Sequence, residues 1–199
     1  MSTAVLDLGV GNTASMLFAL ERLGESPRLT ADPVVLAEAD RIVFPGVGSA
    51  RFAADRIAAL GVADTLREFP RPLLGVCLGM QILYARSEEG DAEGLGLLTA
   101  EVRRLTAAPD RPVPHMGWNR LSRDRPDDPL LEGVPEDAFV YFVHGYAAPV
   151  GEETAASAEY GVPFSAVVRR GSVCGCQFHP ERSGGAGARI LKNFLDLPC

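Results

Sequence analysis

The stretch Gly75-Val76-Cys77-Leu78-Gly79 decides the fold of this chain. It follows the apolar residues Leu73 and Leu74 and opens a helix-like run over residues 80–85. A strand, a sharp turn flanked by glycines and a helix form a nucleophile elbow, because glycine lets the strand and helix backbones pass closely around one strained residue. The N-terminal end of the helix favours the thiolate of Cys77, which is the reactive form. The pattern predicts an α/β fold that presents a reactive thiol at a strand end.

A second informative stretch, Gln177-Phe178-His179-Pro180-Glu181, lies close to the C-terminus. His179 directly follows a predicted strand, and Pro180 breaks that strand and turns Glu181 back towards the imidazole. A histidine just beyond a strand of a parallel sheet is well placed to take the proton of a thiol at the same sheet edge. His144, which follows a predicted strand over residues 139–143, is the rival base, but no carboxylate neighbours it. A Cys77–His179–Glu181 triad is therefore the leading hypothesis.

Length and charge narrow the class of protein. With 199 residues the chain is long enough for one well-buried α/β domain, which we predict to span residues 1–199. A net charge of −7, from 19 basic and 26 acidic residues, argues against a nucleic-acid partner. No apolar run approaches membrane-spanning length, and the N-terminus lacks a basic, cleavable leader. We expect a cytoplasmic enzyme that has no contact with a membrane.

The other cysteines do not form the pattern of a disulfide framework. Cys199 is terminal, and Cys174 and Cys176 would lie on one face of a strand. A C-x-C pair without a nearby histidine or further cysteine is a poor metal site, so small core residues are the better interpretation. We predict neither a metal nor a cofactor.

Apolar, β-branched segments alternate with helical patterns through the first hundred residues. Strands are predicted over residues 3–8, 41–44 and 73–76, and helices over residues 14–23 and 52–60. The second half is richer in strands. These are predicted over residues 101–105, 139–143, 154–160, 166–170 and 173–178, with a surface loop over 122–128 and a closing helix over 186–195. The pattern predicts a three-layer, flavodoxin-like α/β fold with a mostly parallel central sheet, flanking helices and extra strands in the C-terminal half.

An oxyanion formed by attack of Cys77 would need backbone N–H donors. Leu78, the residue after the nucleophile, is one source. Val47 and Gly48 in the turn Pro45-Gly46-Val47-Gly48 are a second, because glycine lets amides point into a cleft without a Cβ in the way. Each such donor contributes roughly 3 kcal/mol in the transition state.

Each pattern has a plainer explanation when taken alone. A buried cysteine is usually inert packing, H-P-E arises in ordinary loops, and a Gly-x-Gly turn is weak support for a ligand site. The catalytic interpretation depends on all three lying at strand ends of one sheet. His115 and His144 are more often structural or substrate-adjacent residues, and Trp118 fits either half-buried core or an interface.

The residues quoted above resemble the class I (triad) glutamine amidotransferases. The residues that carry this resemblance are Gly75 to Gln81 and Gln177 to Glu181. Further stretches narrow it to the glutaminase subunits of imidazole glycerol phosphate synthase, and the resemblance runs from near residue 4 to Leu195. These further stretches are Asp7 to Asn12, Pro45 to Gly48, Pro114 to Asn119, Tyr141-Phe142-Val143-His144-Gly145-Tyr146 and Arg182-Ser183-Gly184.

The resemblance implies a reaction and its site. Cys77 would attack the carboxamide of L-glutamine, His179 would protonate the departing ammonia and then activate water, and Glu181 would orient His179. The oxyanion would be held by amides near Val47 and Leu78. The residues implied in glutamine recognition are Gly46, Gly48, Gln81, Glu89, His144, Gly145 and Tyr146, although the sequence spacing does not separate Glu89 from the adjacent Glu88.

The resemblance also implies a partner, because ammonia released into neutral water would become ammonium and lose its nucleophilicity. In this family the partner is a (β/α)₈-barrel cyclase subunit, and the two form a heterodimer. The cyclase joins the ammonia to phosphoribulosyl-formimino carboxamide ribotide and makes imidazole glycerol phosphate and aminoimidazole carboxamide ribotide. Asn12, Trp118, Tyr141 and Arg182 would lie on the docking face. The segment Gly46 to Gly48 would become competent only when the cyclase holds its ligand, which is allosteric control.

Three alternatives stay open from the sequence. The chain could be the glutaminase of a different ammonia-using synthase, although the stretches at 114–119 and 141–144 argue against it. An inactive interaction subunit would not need an intact Cys77, His179 and Glu181. A free-standing cysteine hydrolase would be active without a partner, whereas a synthase subunit would show little activity alone.

Overall fold

A computed structural model describes residues 1–9 and 13–199 of the chain. Its strands, in chain order, are β1 (Thr3–Leu6), β2 (Arg28–Thr30), β3 (Arg41–Gly46), β4 (Leu73–Cys77), β5 (Tyr84–Ser87), β6 (Ala92–Glu93), β7 (Leu98–Arg104), β8 (His115–Arg120), β9 (Ser122–Arg123), β10 (Phe139–His144), β11 (Tyr146–Ala147), β12 (Thr154–Tyr160), β13 (Val162–Arg170) and β14 (Val173–Cys176). The α-helices are α1 (Thr13–Arg22), α2 (Pro33–Glu38), α3 (Ala50–Leu60), α4 (Ala63–Arg67), α5 (Leu78–Leu83) and α6 (Gly184–Leu195), and short 3₁₀ turns cover Pro129–Leu131 and Pro180–Arg182.

An eight-stranded sheet runs through the centre in the order β2-β1-β3-β4-β14-β13-β12-β9. The first five of these strands are parallel and follow the strand order of flavodoxin-like folds. The remaining three extend the sheet with antiparallel pairings. The fold class predicted from the sequence is confirmed, including the extra strands in the C-terminal half.

Helices cover both faces of this sheet, and the side chains of each central strand point alternately into the two cores that result. In β3, Val43 faces a core shared with α1 and α6, whereas Ile42 and Phe44 face a core shared with α2, α3, α4 and α5. Successive strand residues point to opposite faces, so a strand buried on both faces is apolar along its whole length. The continuous apolar run that identified β3 in the sequence is the consequence of this three-layer arrangement.

Local signals set the helix ends. The carboxylate of Asp32 accepts a hydrogen bond from the amide of Val34 at 2.9 Å, and Pro33 occupies the first turn of α2. Ser49 precedes α3, and Gly61, with φ +66°, ends it in the left-handed conformation.

Several element boundaries differ from the sequence-based predictions. The helix predicted over residues 80–85 ends at Leu83, because Tyr84 begins a strand that pairs with β6 and β7. The loop predicted over residues 122–128 begins with the short edge strand β9, which pairs with β12. Strand β8, which pairs antiparallel with β10, was not predicted as a strand. In each case a pairing with a distant segment decides the local structure, and no short-range pattern reveals such a pairing.

Three strand ends meet at one edge of the sheet. Gly46 at the end of β3 pairs with Cys77 at the end of β4, and Cys176 at the end of β14 pairs with Val76. The parallel direction of these strands therefore brings the turn after β3, the elbow after β4 and the segment after β14 together.

Glycine allows α5 to pack directly on β3 and β4. A Cβ on Gly79 would overlap the backbone carbonyl of Phe44, and one on Gly46 would lie 2.8 Å from the amide nitrogen of Gly79. Both Cβ positions would be closer to backbone atoms than real Cβ atoms come in proteins. The elbow can close only where these side chains are absent.

We predict that Gly79→Ala destabilises the protein by about 1–3 kcal/mol, because α5 must move away from β3 to admit the methyl group. Urea unfolding at neutral pH measures the change. Gly185→Ala in α6 is the matched control, since nothing lies within 4 Å of its Cβ position. A Gly79→Ala protein that unfolds at the wild-type midpoint would contradict this account of the elbow.

A buried pair of histidines joins β8 to β10. His115 and His144 are directly opposite each other across the two strands, and their rings are hydrogen bonded from Nδ1 of His115 to Nε2 of His144 at 2.9 Å. The ring of His115 also stacks on Tyr160, with centroids 4.0 Å apart. Burial lowers the pKa of His144 to about 3 and that of His115 to about 4. Both rings are therefore neutral in the folded protein at neutral pH.

This pair predicts a loss of stability in mild acid. Unfolding returns His144 to a pKa near 6.5, so below that pH the unfolded chain binds a proton that the folded chain refuses, and stability falls with pH. From His144 alone we expect a fall of about 2 kcal/mol in the free energy of unfolding between pH 6.5 and pH 5.

Urea unfolding at half-unit steps across that window checks the prediction. In His144→Phe the slope of unfolding free energy against pH should become shallower, even if the variant is less stable at every pH. An unchanged slope would show that His144 is not held neutral by its surroundings.

Candidate active site

Cys77 lies at the turn between β4 and α5 in a conformation that non-glycine residues rarely adopt. Its φ is +54° and its ψ is −109°, and it occupies the position just before the first residue of α5. Strain of this kind costs about 1–3 kcal/mol and persists only where the surroundings over-determine it. The elbow predicted from the sequence is present, and the thiol lies against the carbonyl oxygen of Val143, 3.8 Å away.

His179 lies between Cys77 and Glu181. Its Nδ1 is 2.9 Å from Oε1 of Glu181, and its ring lines the same cavity as Cys77. Burial acts to lower the pKa of His179, but the hydrogen bonds and negative charges of Cys77 and Glu181 outweigh it and raise that pKa to about 10. The imidazole is therefore protonated at neutral pH and has a proton to donate.

Backbone contacts fix the segment that carries His179. Its amide donates to the carbonyl of Tyr141 at 3.0 Å. The buried hydroxyl of Ser183 donates to the carbonyl of His179 at 2.7 Å and accepts from the amide of Tyr141 at 2.9 Å. These bonds attach the residues after β14 to β10 and leave the imidazole little freedom.

The rival base, His144, has both ring nitrogens engaged. Nδ1 donates to the carbonyl of Tyr146 at 2.8 Å, so Nε2 is the acceptor from His115. A neutral ring without a free nitrogen has no atom with which to take the proton of Cys77. The geometry therefore favours His179 as the base.

A cavity of about 250 Å³ opens beside the sulfur of Cys77. It contains nearly all of the residues for which the sequence implies oxyanion or glutamine contacts: Val47, Gly48, Leu78, Gln81, Glu89, His144, Gly145 and Tyr146. Gly48 adopts φ +104°, which glycine tolerates and other residues rarely do. The turn after β3 and the start of α5 thus both line the pocket around the thiol.

The structure separates the two adjacent glutamates. Glu89 lines the cavity, and its Oε2 accepts from the amide of Ala50 at 2.7 Å, at the start of α3. Glu88 is exposed and turns towards β7, where its Oε2 accepts from the amide of Arg104 at 2.8 Å. Of the two, only Glu89 is placed to contact a ligand in this cavity.

A second cavity of about 210 Å³ adjoins the first on the other side of His179. Val47, Val143 and His179 line both cavities. Gly46 lies on this second cavity together with Tyr141 and Arg182, and not on the cavity around the thiol. Glu181 also lines it, and the Oε2 atom of that carboxylate is buried without a hydrogen-bond partner among the described residues.

The predicted docking residues lie beside this second cavity. Trp118 and Tyr141 are opposite each other across β8 and β10, with ring centroids 5.9 Å apart, and Trp118 is 56% exposed. Met116 and Phe139 on the same outward faces are also exposed. Such a contiguous apolar patch is typical of a protein–protein interface. Asn12, the fourth predicted docking residue, lies outside the described residues.

The two core cysteines, Cys174 and Cys176, are unsuited to nucleophilic chemistry. All four cysteines are free thiols. Burial raises the pKa of the Cys174 thiol to about 12 and raises that of Cys176 well above its usual value. Both lie in the core, as the sequence suggested.

Neither a metal cluster nor a membrane-spanning helix is found in the described part of the chain. Within residues 1–9 and 13–199, no group of three or more His, Cys, Asp or Glu side chains is arranged to hold a metal ion. Over the same ranges, no helix combines the length and the apolar character needed to cross a bilayer.

Sequence reasoning missed two buried polar residues at this site. Gln177 is fully buried, and its amide nitrogen lies 3.9 Å from the Cys77 sulfur. Ser183 holds the segment of His179 through the two hydrogen bonds of its hydroxyl. A glutamine between Cys176 and Phe178, at the end of an apolar strand, is itself a signal, because a buried amide must find hydrogen-bond partners.

Comparison with known proteins agrees with this geometry. The sequence model of the family "Glutamine amidotransferase class-I" matches residues 4–197. The chain is 53% identical over 194 residues to the "Imidazole glycerol phosphate synthase subunit HisH" of Xanthomonas axonopodis pv. citri (strain 306), covering 98% of this chain and 96% of the relative. The protein of the same name from Xylella fastidiosa (strain Temecula1 / ATCC 700964) is 51% identical with the same coverage.

Solved structures show the same architecture. One reported as a glutamine amidotransferase superposes with a TM-score of 0.75 at 25% identity, covering 98% of this chain and 97% of the other. The structure of PurLQS from Thermotoga maritima gives a TM-score of 0.72 at 19% identity, again covering 98% and 97%. With the family match extending over almost all of its length, the chain belongs to the class I glutamine amidotransferases.

Proposed function

We propose that this chain is the glutaminase subunit of an imidazole glycerol phosphate synthase. It hydrolyses L-glutamine to glutamate and ammonia and passes the ammonia to a cyclase subunit. The observation that carries the proposal is the position of His179, which lies between the strained thiol of Cys77 and the carboxylate of Glu181 at the junction of two cavities. The names of the relatives support the choice of synthase.

In the first half of the reaction the Cys77 thiolate attacks the side-chain carbonyl of glutamine. The oxyanion that forms is held by backbone amides at Leu78 and in the turn of Val47 and Gly48, all of which line the cavity around Cys77. The tetrahedral intermediate collapses when His179 gives its proton to the leaving nitrogen. Ammonia departs, and a glutamyl thioester remains on Cys77.

In the second half the neutral His179 takes a proton from water, which attacks the thioester. Glutamate leaves, and the thiolate–imidazolium pair is restored. Glu181 keeps Nδ1 of His179 protonated and so presents the other ring nitrogen to the reacting atoms, which is the part that the third member of a triad plays.

The pair of cavities fits a separation of substrate and product. Gln81, Glu89 and the segment from His144 to Tyr146 would bind glutamine in the cavity around Cys77. Ammonia freed at His179 would leave through the adjoining cavity, past Tyr141 and Arg182. A route of this kind keeps ammonia from water, where it would become ammonium and lose its nucleophilic lone pair.

The outward faces of β8 and β10 would receive the cyclase. The exposed residues Met116, Trp118 and Phe139, with the half-buried Tyr141, supply the apolar and aromatic surface that protein interfaces favour. We propose that the chain forms a heterodimer with a (β/α)₈-barrel subunit. Residues 1–199 would act as one domain in this complex, and the complex would work in the cytoplasm. Asn12 and Arg182 would complete the contact, and ligand binding to the barrel would make the segment Gly46 to Gly48 competent.

The proposal predicts negligible glutaminase activity for this chain in isolation and an increase of at least a hundredfold with the cyclase and its ribotide ligand. Glutamate production from glutamine, followed in both conditions, is the measurement. Cys77→Ala should lose this activity in the complex while it still binds the cyclase. High activity in isolation, unchanged by the cyclase, would leave a free-standing hydrolase or the glutaminase of another synthase.

The two candidate bases can be compared directly. We predict that His179→Asn lowers kcat in the complex at least a hundredfold more than His144→Asn does, because only His179 carries a proton between Cys77 and the leaving nitrogen. Steady-state glutaminase assays on both variants measure the difference. The reverse order of activities would move the base to His144.

A further inference from the structure

Gln177 is a buried polar residue that the reaction described above does not use. Its side chain is fully buried at the end of β14, and its amide nitrogen Nε2 lies 3.9 Å from Sγ of Cys77. Its oxygen Oε1 accepts from Nε2 of Gln81 at 3.0 Å. Neither of the two cavities is lined by Gln177, so it contacts the sulfur from within the core.

The chemistry of the neighbours decides which end of the Gln177 amide faces the sulfur. The backbone carbonyl of Tyr146 can only accept, and Gln81 lies 2.8 Å from it, so the nitrogen of Gln81 must point there. The same nitrogen has a second hydrogen, which goes to Oε1 of Gln177. The NH₂ group of Gln177 is therefore left to face Cys77, and a flipped amide would place two donors against each other.

The carbonyl of Tyr146 is itself held in place. It accepts from Nδ1 of His144, whose Nε2 accepts in turn from Nδ1 of His115 on β8. Asn119, also on β8, lies 3.4 Å from Nε2 of His115 and donates to the carbonyl of Glu159 at 2.8 Å. Because burial keeps both imidazoles neutral, each ring donates at one nitrogen and accepts at the other. The direction of every hydrogen bond from β8 to Cys77 is thus determined.

We propose that Gln177 is a positioning residue for the nucleophile, donating an N–H to the sulfur of Cys77 in a direction set by Gln81 and the Tyr146 carbonyl. The inference rests on the proposed function, because it takes Cys77 as the attacking group. A hydrogen bond to an ionised acceptor is stronger than one to a neutral acceptor, so this contact strengthens when the sulfur carries the negative charge with which it attacks. It also holds the sulfur in the orientation from which it attacks.

A contact of this kind acts on the attacking atom and not on the bound substrate. Removing it should therefore lower kcat, and KM for glutamine should change little because Gln81 keeps its hydrogen bond to the carbonyl of Tyr146. Gln177→Met removes the donor and keeps a side chain of similar length. In the complex with the cyclase and its ribotide ligand, we expect kcat to fall about tenfold and KM to stay within twofold. Cys174→Ala is the matched control, since it alters the same buried strand and should leave both constants at the wild-type values.

A second measurement observes the thiol without glutamine. Iodoacetamide alkylates thiolates, and peptide mass spectrometry distinguishes Cys77 from the other three cysteines. In the chain without the cyclase, Gln177→Met should slow the alkylation of Cys77 about fivefold or more, while the exposed Cys199 reacts at its wild-type rate. Simple loosening of the core would have the opposite effect, because it would expose Cys77 and speed its reaction.

These outcomes distinguish the inference from the proposed function. If the wild-type complex hydrolyses no glutamine, the proposed function fails, yet alkylation still reports whether Gln177 acts on the sulfur. A folded Gln177→Met protein with wild-type alkylation of Cys77 and kcat within twofold overturns the inference.

Should Gln177→Met not fold, Gln81→Leu in the chain without the cyclase carries the test. It releases the Gln177 amide, and slower alkylation of Cys77 supports the inference while an unchanged rate overturns it.

Discussion

The close packing of α5 against β3 and β4 is the constraint on which the rest of this structure depends. Gly46 and Gly79 lie where any side chain would collide with backbone atoms, and the turn between β4 and α5 consequently forces Cys77 to a positive φ. That single contact places the thiol at the edge of the sheet, between the turn after β3 and the segment after β14. The packing of two apolar cores on the two faces of the sheet offsets the backbone strain at Cys77.

The electrostatics of the site follow from this arrangement. His179 and His144 are both largely buried, yet their pKa values move in opposite directions. His179 lies beside the sulfur of Cys77 and the carboxylate of Glu181, and the charged imidazole is favoured. His144 faces a carbonyl and a second neutral imidazole, and burial favours the uncharged ring. Environment, and not residue type, separates an acid–base group from a structural one.

The proposed docking face and the hydrogen-bond network that leads to Cys77 share the strands β8 and β10. The outward faces carry Trp118 and Tyr141, while the inward faces carry His115 and His144 in the network of hydrogen bonds that ends at Gln177 and Cys77. Because side chains alternate between the two faces of a strand, one antiparallel strand pair can present the proposed docking residues on one face and this network on the other. The same strand β10 also holds the segment of His179 through the backbone of Tyr141. Any movement of this strand would reach both Cys77 and His179.

The sequence alone determined the α/β class, the parallel sheet and the proposed identity of the triad, because these depend on short-range patterns. The apolar strands, the glycines around Cys77 and the His-Pro-Glu turn each occupy a few neighbouring residues. The sequence did not separate Glu88 from Glu89 and did not reveal β8 as a strand. It also assigned no role to Gln177 or Ser183. Those features depend on which distant atom a side chain meets: the amide of Ala50 for Glu89, β10 for β8, and the sulfur of Cys77 for Gln177. Contacts between residues far apart in the chain exist only once the strands have assembled, so tertiary structure alone decided them.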